Sequence, residues 1–201
     1  GDYGKMGVAK TAARLYVDSW HAGDKIGVVS FDADAYTNPS LRNWTDTPLG
    51  GSRQQAFDAI NALSAGGATS IGDGLRESYK NLTQTGTLTH SWGIVLLSDG
   101  LETTAEYLAT VRPSFDPGNA ANAGRKLPTI HTVAVGPDAN RPDMQSLAAL
   151  TGGTYQFVSE PLPGSIVMSP LADTNFRLTF DAKYRYIAAK LAGQQQFFSR
   201  V

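Results

Sequence analysis

The sequence has no cysteine, no long apolar run and no excess of basic residues, and each absence excludes a class of function. A cysteine count of 0 removes disulfides, thiolate nucleophiles and zinc–thiolate sites. No apolar run approaches the ~20 residues of a membrane-spanning helix. A formal charge of -1 at pH 7 leaves no basic face for nucleic acid or an anionic membrane. We therefore expect no nucleic acid partner and no membrane span.

Motifs of the common catalytic classes are also missing. The sequence has no nucleophilic serine flanked by glycines, no His-Glu-x-x-His motif and no Gly-Lys-Ser/Thr phosphate loop. The pair Gly66-Gly67 precedes a threonine, but without a lysine it makes a poor phosphate cradle. We therefore expect that the chain is not an enzyme.

Apolar patterns of helical and strand type alternate along the 201 residues, a length that suits one domain. Alternation of this kind predicts a mostly parallel sheet covered by helices on both faces. The predicted strands are 26–31, 35–41, 92–97, 129–135 and 154–158. The predicted helices are 8–20, 54–63, 71–82, 141–150 and a final one over 180–191. Residues 42–51 are predicted to be a loop, and 101–128 a short helix with loops.

Two segments carry the most informative residues. A glycine-rich loop over 66–75 contains Thr69, and an apolar strand over 94–100 ends on Asp99. Hydroxyl and carboxylate oxygens are ligands of hard divalent cations, and such sites lie at the carboxyl ends of parallel strands. The pattern therefore predicts Thr69 and Asp99 as metal ligands. The structural alternatives are a helix cap for Thr69 and a turn residue for Asp99.

Polar neighbours of these two residues are candidates for supporting the metal ligands. The candidates are Ser70, Asp73, Ser98 and Gly100. We expect the two serines to form hydrogen bonds within their loops. Asp73 and Glu102 are near enough in sequence to add charge at the rim of the site, although we expect both to be solvated.

A second pair of carboxylates, Asp32 and Asp34, follows the predicted strand 26–31. The two form a paired-carboxylate pattern, for which the structural interpretation is a polar turn before an edge strand. We favour the turn, because aspartate is a common turn residue.

The ordered motifs together resemble a von Willebrand factor A domain of the bacterial and calcium-activated chloride channel regulator type. The motifs are the Thr69 loop, the strand end 97–100, the strand 131–136 and the helix end 150–153. The resemblance covers roughly residues 1–192. It implies a doubly wound, Rossmann-like sheet with a metal-ion-dependent adhesion site (MIDAS) at its top. That site is built from an Asp-x-Ser-x-Ser loop after the first central strand, a threonine and an aspartate.

The resemblance assigns a role to two residues of this sequence. Thr69 matches the threonine, which ligates the ion directly in the ligand-bound state, and Asp99 matches the aspartate, which usually acts through water. The Asp-x-Ser-x-Ser loop has no match, because residues 1–6 align just after it. The first central strand is therefore absent from this sequence, and residues 193–201 begin a following segment. Loss of a central strand would leave a gap in the sheet, and unpaired buried backbone groups cost about 1–3 kcal/mol each. We therefore expect the gap to be filled by an upstream segment of the same polypeptide, by a cleaved fragment that stays associated, or by a swapped strand.

The resemblance implies a protein-binding or adhesion module that recognises an Asp or Glu of a partner through a divalent ion. The expected ion is Mg²⁺, with Mn²⁺ or Ca²⁺ as alternatives. Binding of any of them is expected only if the missing Asp-x-Ser-x-Ser loop is supplied. A metal-free structural domain packed within a larger protein is the alternative, and a metal-assisted hydrolase is a weaker one. Family analogy places the module outside cells or on their surface, and a cytoplasmic location stays open.

Overall fold

The computed structural model describes residues 4–18, 24–37, 42–43, 52–86 and 88–158. All of these residues belong to one compact unit, Gly1–Pro163. Several predicted features lie outside the described residues. They are the end of the first helix beyond residue 18, the end of the predicted strand 35–41, most of the loop 42–51, the final helix 180–191 and the segment 193–201.

The described residues form helices and strands in alternation. The α-helices are α1 (Lys5–Asp18), α2 (Ser52–Ala62), α3 (Ile71–Thr85), α4 (Leu108–Val111) and α5 (Arg141–Leu150). The strands are β1 (Lys25–Ile26), β2 (Val29–Phe31), β3 (Ala35–Thr37), β4 (Arg42–Asn43), β5 (Gly93–Ser98), β6 (Thr129–Val135) and β7 (Tyr155–Val158). Two 3-10 segments, Arg112–Phe115 and Ala120–Asn122, lie between α4 and β6.

Strands β5, β6 and β7 form a parallel sheet in that order. Val95 of β5 lies opposite His131, and Val133 of β6 lies opposite Gln156. Because all three strands run in the same direction, the loops that follow them emerge at one edge of the sheet. This edge is where ligand sites are found in open α/β sheets.

The remaining strands pair in two short antiparallel units. β2 pairs with β3 around the turn 32–34, and β1 pairs with β4. The predicted continuous strand 26–31 is therefore wrong in detail, because it is broken between β1 and β2. The predicted loop over 42–51 is also wrong at Arg42–Asn43, which pairs with β1. A strand of two residues is too short to show an alternating pattern in the sequence.

The main core lies between the parallel sheet and helices α3, α4 and α5. On α3 the buried residues Ile71, Leu75 and Tyr79 recur at helical spacing. The Tyr79 ring meets the rings of Trp92 and Phe115 edge to face, with centroids 6.5 and 5.5 Å away. Such contacts add to the stabilisation from burial.

A second apolar cluster joins α1, α2 and β1. Its buried members are Val17, Ile26, Ala56 and Ile60. Helix α1 contacts β5 and β6 but contributes no residue to the main core. The two clusters therefore belong to different helix layers of an α/β fold.

Helix α3 contacts both the β2–β3 hairpin and β5. Within the described ranges, β5 pairs only with β6, and β2 pairs only with β3. No described strand therefore joins β2 to β5. Among the described residues, nothing pairs with the edge of either strand that faces away from its partner.

Candidate metal site

Strand β5 places its last residues at the ligand-binding edge of the sheet. Its side chains alternate in burial, so that Ile94, Leu96 and Ser98 are buried. The next residue, Asp99, is exposed. The Ser98 hydroxyl donates to the backbone oxygen of Gly100 at 3.4 Å. The strand therefore anchors the turn through Ser98 and leaves the Asp99 carboxylate in solvent.

The Thr69 loop lies against the segment that follows Asp99. A Cβ built on Gly100 would lie 3.8 Å from the Thr69 hydroxyl oxygen. The backbone N–H of Thr103 donates to the Thr69 carbonyl at 3.0 Å, and the Thr69 N–H donates to the Thr103 hydroxyl at 2.9 Å. Residues 30 or more positions apart are thereby held side by side.

The oxygens of the two predicted ligands carry no hydrogen bond. Within the part of the chain that the structure describes, neither the Thr69 hydroxyl nor the Asp99 carboxylate has a hydrogen-bonding partner. Helix α3 begins at Ile71, and its cap residue is Ser70. The structural alternative in which the Thr69 hydroxyl caps this helix is therefore not what the structure contains. Both oxygens are free for another ligand.

Both serines form hydrogen bonds from their loops, as predicted, although the partner of the Ser70 hydroxyl lies in another loop. Ser70 is fully buried, and its hydroxyl donates to the Glu106 carbonyl at 3.0 Å. Its N–H donates to the Asp32 carbonyl at 2.8 Å. Ser70 therefore links the Thr69 loop to both neighbouring loops, and Ser98 closes the turn at the end of β5.

The expectation that Asp73 is solvated is wrong, and Glu102 is only partly exposed. Asp73 is only 6% exposed and forms an ion pair with Arg76, one turn later on α3. Glu102 accepts hydrogen bonds from the N–H of Gly72 at 2.9 Å and of Leu108 at 2.8 Å. The first N–H groups of a helix have no partner within it, and the helix dipole favours a carboxylate there. Both acids are thus engaged at helix starts.

One of these contacts was visible in the sequence and the other was not. Asp73 and Arg76 stand three residues apart on a predicted helix, the spacing of an ion pair. Glu102 and Gly72 are 30 positions apart, and only the tertiary fold brings them together. Arg76 also reaches Glu106, at 2.5 Å between Nη1 and Oε2, so this arginine links α3 to the loop before α4.

The interpretation of Asp32 and Asp34 as a turn is confirmed. The Asp34 N–H donates to the Asp32 carboxylate at 3.2 Å, and the Asp32 N–H donates to the Asp34 carbonyl at 2.9 Å. The sequence did not reveal that this turn packs on the Thr69 loop. A Cβ on Gly67, which has φ +76, would lie 2.8 Å from the Asp32 Cβ. Gly67 therefore allows both a left-handed backbone and a close approach.

The described residues fit a divalent ion only in part. Thr69 and Asp99 offer free oxygens of the type that Mg²⁺ prefers, and Mg²⁺ also retains several waters. Among the residues that the structure describes, no three His, Cys, Asp or Glu side chains come together as a metal site.

Comparison with known proteins adds a family assignment to this geometry. Residues 4–157 match the sequence profile of the von Willebrand factor type A domain. The mouse protein named calcium-activated chloride channel regulator 3A-1 is 29% identical over 152 residues. That alignment covers 75% of this chain and 15% of the relative. The chain thus spans a small part of the length of the curated relatives it matches.

Solved structures confirm the fold class. A von Willebrand factor type A protein from Catenulispora acidiphila superposes with a TM-score of 0.62 at 23% identity, covering 77% of this chain and 34% of that one. Proximal thread matrix protein 1 from the mussel byssus, described with a zinc-occupied MIDAS motif, gives 0.55 at 18% identity, covering 76% and 36%. These likenesses show a Rossmann-like α/β fold.

Proposed function

Since the chain belongs to the von Willebrand factor type A domain family, we propose that it is a protein-binding or adhesion module. In this proposal Thr69 and Asp99 hold a divalent ion that binds an exposed Asp or Glu of a partner. The observation that carries the proposal is that two loops at one sheet edge present a hydroxyl and a carboxylate with no hydrogen-bonding partner among the described residues. Such oxygens can engage a cation without first breaking a hydrogen bond to another described residue.

Each residue near the site has its own role in the proposed ion binding. The ion supplies a positive charge with an open position for a carboxylate, Thr69 ligates it directly, and Asp99 acts through a water. Gly100 leaves the space that the Thr69 hydroxyl faces. Ser70, Asp73 and Ser98 fix the loops behind these ligands. The ion is Mg²⁺, with Mn²⁺ or Ca²⁺ as alternatives, and the mussel protein described with zinc at this motif supports a metal role.

The proposal also includes an extended segment that pairs with β5. The unpaired edges of β2 and β5, both contacted by α3, support it. We expect the segment to supply the remaining metal ligands, whether it lies upstream, stays associated after cleavage or is swapped from another copy.

A metal-free structural domain is the second candidate. It is favoured by the lack of an acidic or histidine cluster in the described ranges. A metal-assisted hydrolase is less supported, because the nearby carboxylates of Asp73 and Glu102 are already engaged with Arg76 and backbone N–H groups. A general base needs a carboxylate that is free to accept a proton.

We place the module outside the cell or on its surface by analogy with its family, with a cytoplasmic location as the alternative. None of the described helices is long and apolar enough to cross a membrane. The module is thus proposed to meet its partner through the sheet edge that carries Thr69 and Asp99.

The experiment that tests the function is isothermal titration of Mg²⁺ and Mn²⁺ into a form of the protein that carries the proposed segment. We expect binding that Asp99→Ala and Thr69→Ala each weaken by at least about tenfold. Asp58→Ala is the matched control, because Asp58 is an exposed carboxylate on α2 and lies outside both loops. Equal binding by all variants would place the ion elsewhere, and no binding by folded protein would favour the structural alternative.

A further inference from the structure

The sequence contains two Asp-Gly pairs, Asp73-Gly74 and Asp99-Gly100, and the fold places them in opposite surroundings. An aspartate followed by glycine closes on its own backbone more easily than one followed by a larger residue, because glycine has no Cβ to hinder the approach. The first pair lies in the first turn of α3, and the second lies in the turn after β5. The same dipeptide is therefore present once in a helix and once in a loop.

The pair in α3 is restrained at both reacting groups. Asp73 is only 6% exposed, and its carboxylate accepts a hydrogen bond from Arg76. The Gly74 N–H donates to the Ser70 carbonyl at 3.3 Å. In a helix the aspartate side chain also points toward the N-terminus, away from the N–H of the next residue. A reaction between the two groups therefore requires local opening of α3.

The pair after β5 lacks these restraints. Asp99 is exposed, and its carboxylate has no hydrogen-bonding partner among the described residues. Those residues also offer no acceptor to the Gly100 N–H, whereas the Gly100 carbonyl accepts from Asn140 and Ser98 at 3.4 Å each. A Cβ built on Gly100 meets Thr69 Oγ1 at 3.8 Å and no other described atom within 4 Å. The carboxyl carbon and the backbone nitrogen are thus adjacent, unbonded and open to water.

We propose that Asp99-Gly100 is a site of spontaneous isomerisation to isoaspartate. The Gly100 nitrogen attacks the side-chain carbon of the protonated Asp99 carboxyl, and a C–N bond forms. The carboxyl hydroxyl and the Gly100 N–H proton leave together as water, which closes a succinimide ring. A second water then opens the ring. Breaking the bond from nitrogen to the former side-chain carbon restores aspartate, and breaking the bond to the main-chain carbonyl carbon gives isoaspartate.

The product differs from the original chain in shape but not in mass. Isoaspartate carries the backbone through the former side chain, so the main chain gains one methylene between β5 and Gly100. Its free carboxylate is attached directly to the Cα and is displaced from the place that the Asp99 carboxylate holds at the sheet edge. The reaction uses only two residues and water, so it requires no ion at the candidate metal site. It makes the surface of this turn dependent on the age of the protein.

The test is incubation of the folded chain at neutral pH for several weeks. Isoaspartate is then measured by enzymatic methylation with a labelled methyl donor and located by peptide mapping. We expect at least about tenfold more isoaspartate at Asp99 than at Asp73, because the pair in the helix reacts only when α3 opens. In guanidinium chloride, which unfolds α3, the two pairs should react at similar rates.

Two alanine variants provide the matched comparison. Gly100→Ala should suppress isoaspartate at Asp99, because the added Cβ hinders the attack and has room in the fold. Gly66→Ala, whose Cβ would have nothing within 4 Å, should leave the yield unchanged. Circular dichroism checks that both variants fold, and an unfolded variant would also show raised isoaspartate at Asp73.

The proposal fails if the folded chain forms equal amounts of isoaspartate at both pairs. It also fails if Asp99 forms none in the folded chain while the denatured chain forms it, because the turn would then be too rigid for the attack. An undiminished yield in Gly100→Ala would place the reaction at another residue.

Discussion

The Glu102 carboxylate joins Gly72 to the start of α4. It accepts a hydrogen bond from the Gly72 N–H at 2.9 Å, and both of its oxygens lie 2.8 Å from the Leu108 nitrogen. One side chain thereby satisfies N–H groups at the starts of α3 and α4. The two loops that carry Thr69 and Asp99 are held together by this contact as well as by Thr103.

Replacing Glu102 should therefore weaken the contact between the two loops that carry Thr69 and Asp99. We expect Glu102→Ala to lower the free energy of unfolding by about 1–3 kcal/mol, because partly buried N–H groups lose a charged acceptor. Urea denaturation followed by circular dichroism measures this change. Asp58→Ala, at an exposed position, should change stability by less than about 0.5 kcal/mol. A loss of equal size in both variants would show that Glu102 has no special role.

The loop before α3 offers a matched pair of glycines. Gly67 has φ +76 and faces Asp32 at 2.8 Å from its built Cβ, whereas Gly66 has nothing within 4 Å. We expect Gly67→Ala to destabilise the chain by roughly 1–3 kcal/mol through backbone strain and steric conflict. Gly66→Ala should be neutral or slightly stabilising. Thermal denaturation of the two variants compares them directly, and equal melting temperatures would refute this account.

Regular elements were predictable where the sequence pattern is long. Strand β6 and helix α5 have the predicted bounds, Thr129–Val135 and Arg141–Leu150. The first is a run of seven residues rich in β-branched side chains, and the second begins with Asn140 accepting from the Asp143 N–H, before a proline in the first turn. Such signals are local, so the fold need not be known to use them.

The parts that the sequence did not reveal depend on tertiary contacts. The break between β1 and β2 arises because each pairs with a different partner, β4 or β3. Likewise, the burial of Asp73 and the contacts of Glu102 arise from loops 30 residues apart. At the site, residue type and the family resemblance predict Thr69 and Asp99 as metal ligands. Their role as metal ligands stays a prediction.

Acid should weaken the contact between β3 and α3. The hydrogen bond from Thr37 to Glu77, 2.6 Å long, is the main cause that lowers the pKa of Glu77, followed by the contacts of Lys80, while burial opposes the shift. A lowered pKa in the folded state stabilises the chain above the unfolded pKa of about 4.3, and this stabilisation is lost as the pH falls through the folded value.

The corresponding variant is Glu77→Gln, measured by urea denaturation between pH 7 and pH 3. We expect it to be less stable than the original chain at pH 7 by under about 1 kcal/mol, since the pair is near the surface. The difference should shrink as the pH falls below about 4. A difference that is constant across this range would show that the carboxylate charge does not contribute.

The unpaired edge of β5 gives the last prediction. Amide groups of a parallel strand point alternately to its two neighbours, and within the described residues only β6 lies beside β5. In the chain on its own, the β5 amides directed toward β6 should exchange with deuterium much more slowly than those directed away from it. Hydrogen exchange measured by NMR, residue by residue from Gly93 to Ser98, resolves the two sets.

The same measurement tests whether an added strand fills the slot. In a longer form of the protein that carries the proposed segment, both sets of β5 amides should be protected to a similar degree, because each N–H then has a strand acceptor. The amides of β6 from Thr132 to Ala134 serve as the internal control, since these residues pair with both β5 and β7. Equal protection of both β5 sets in the chain on its own would contradict the open edge. Persistent alternation in the longer form would show that the segment pairs elsewhere, and the source of the remaining metal ligands would then have to be sought away from β5.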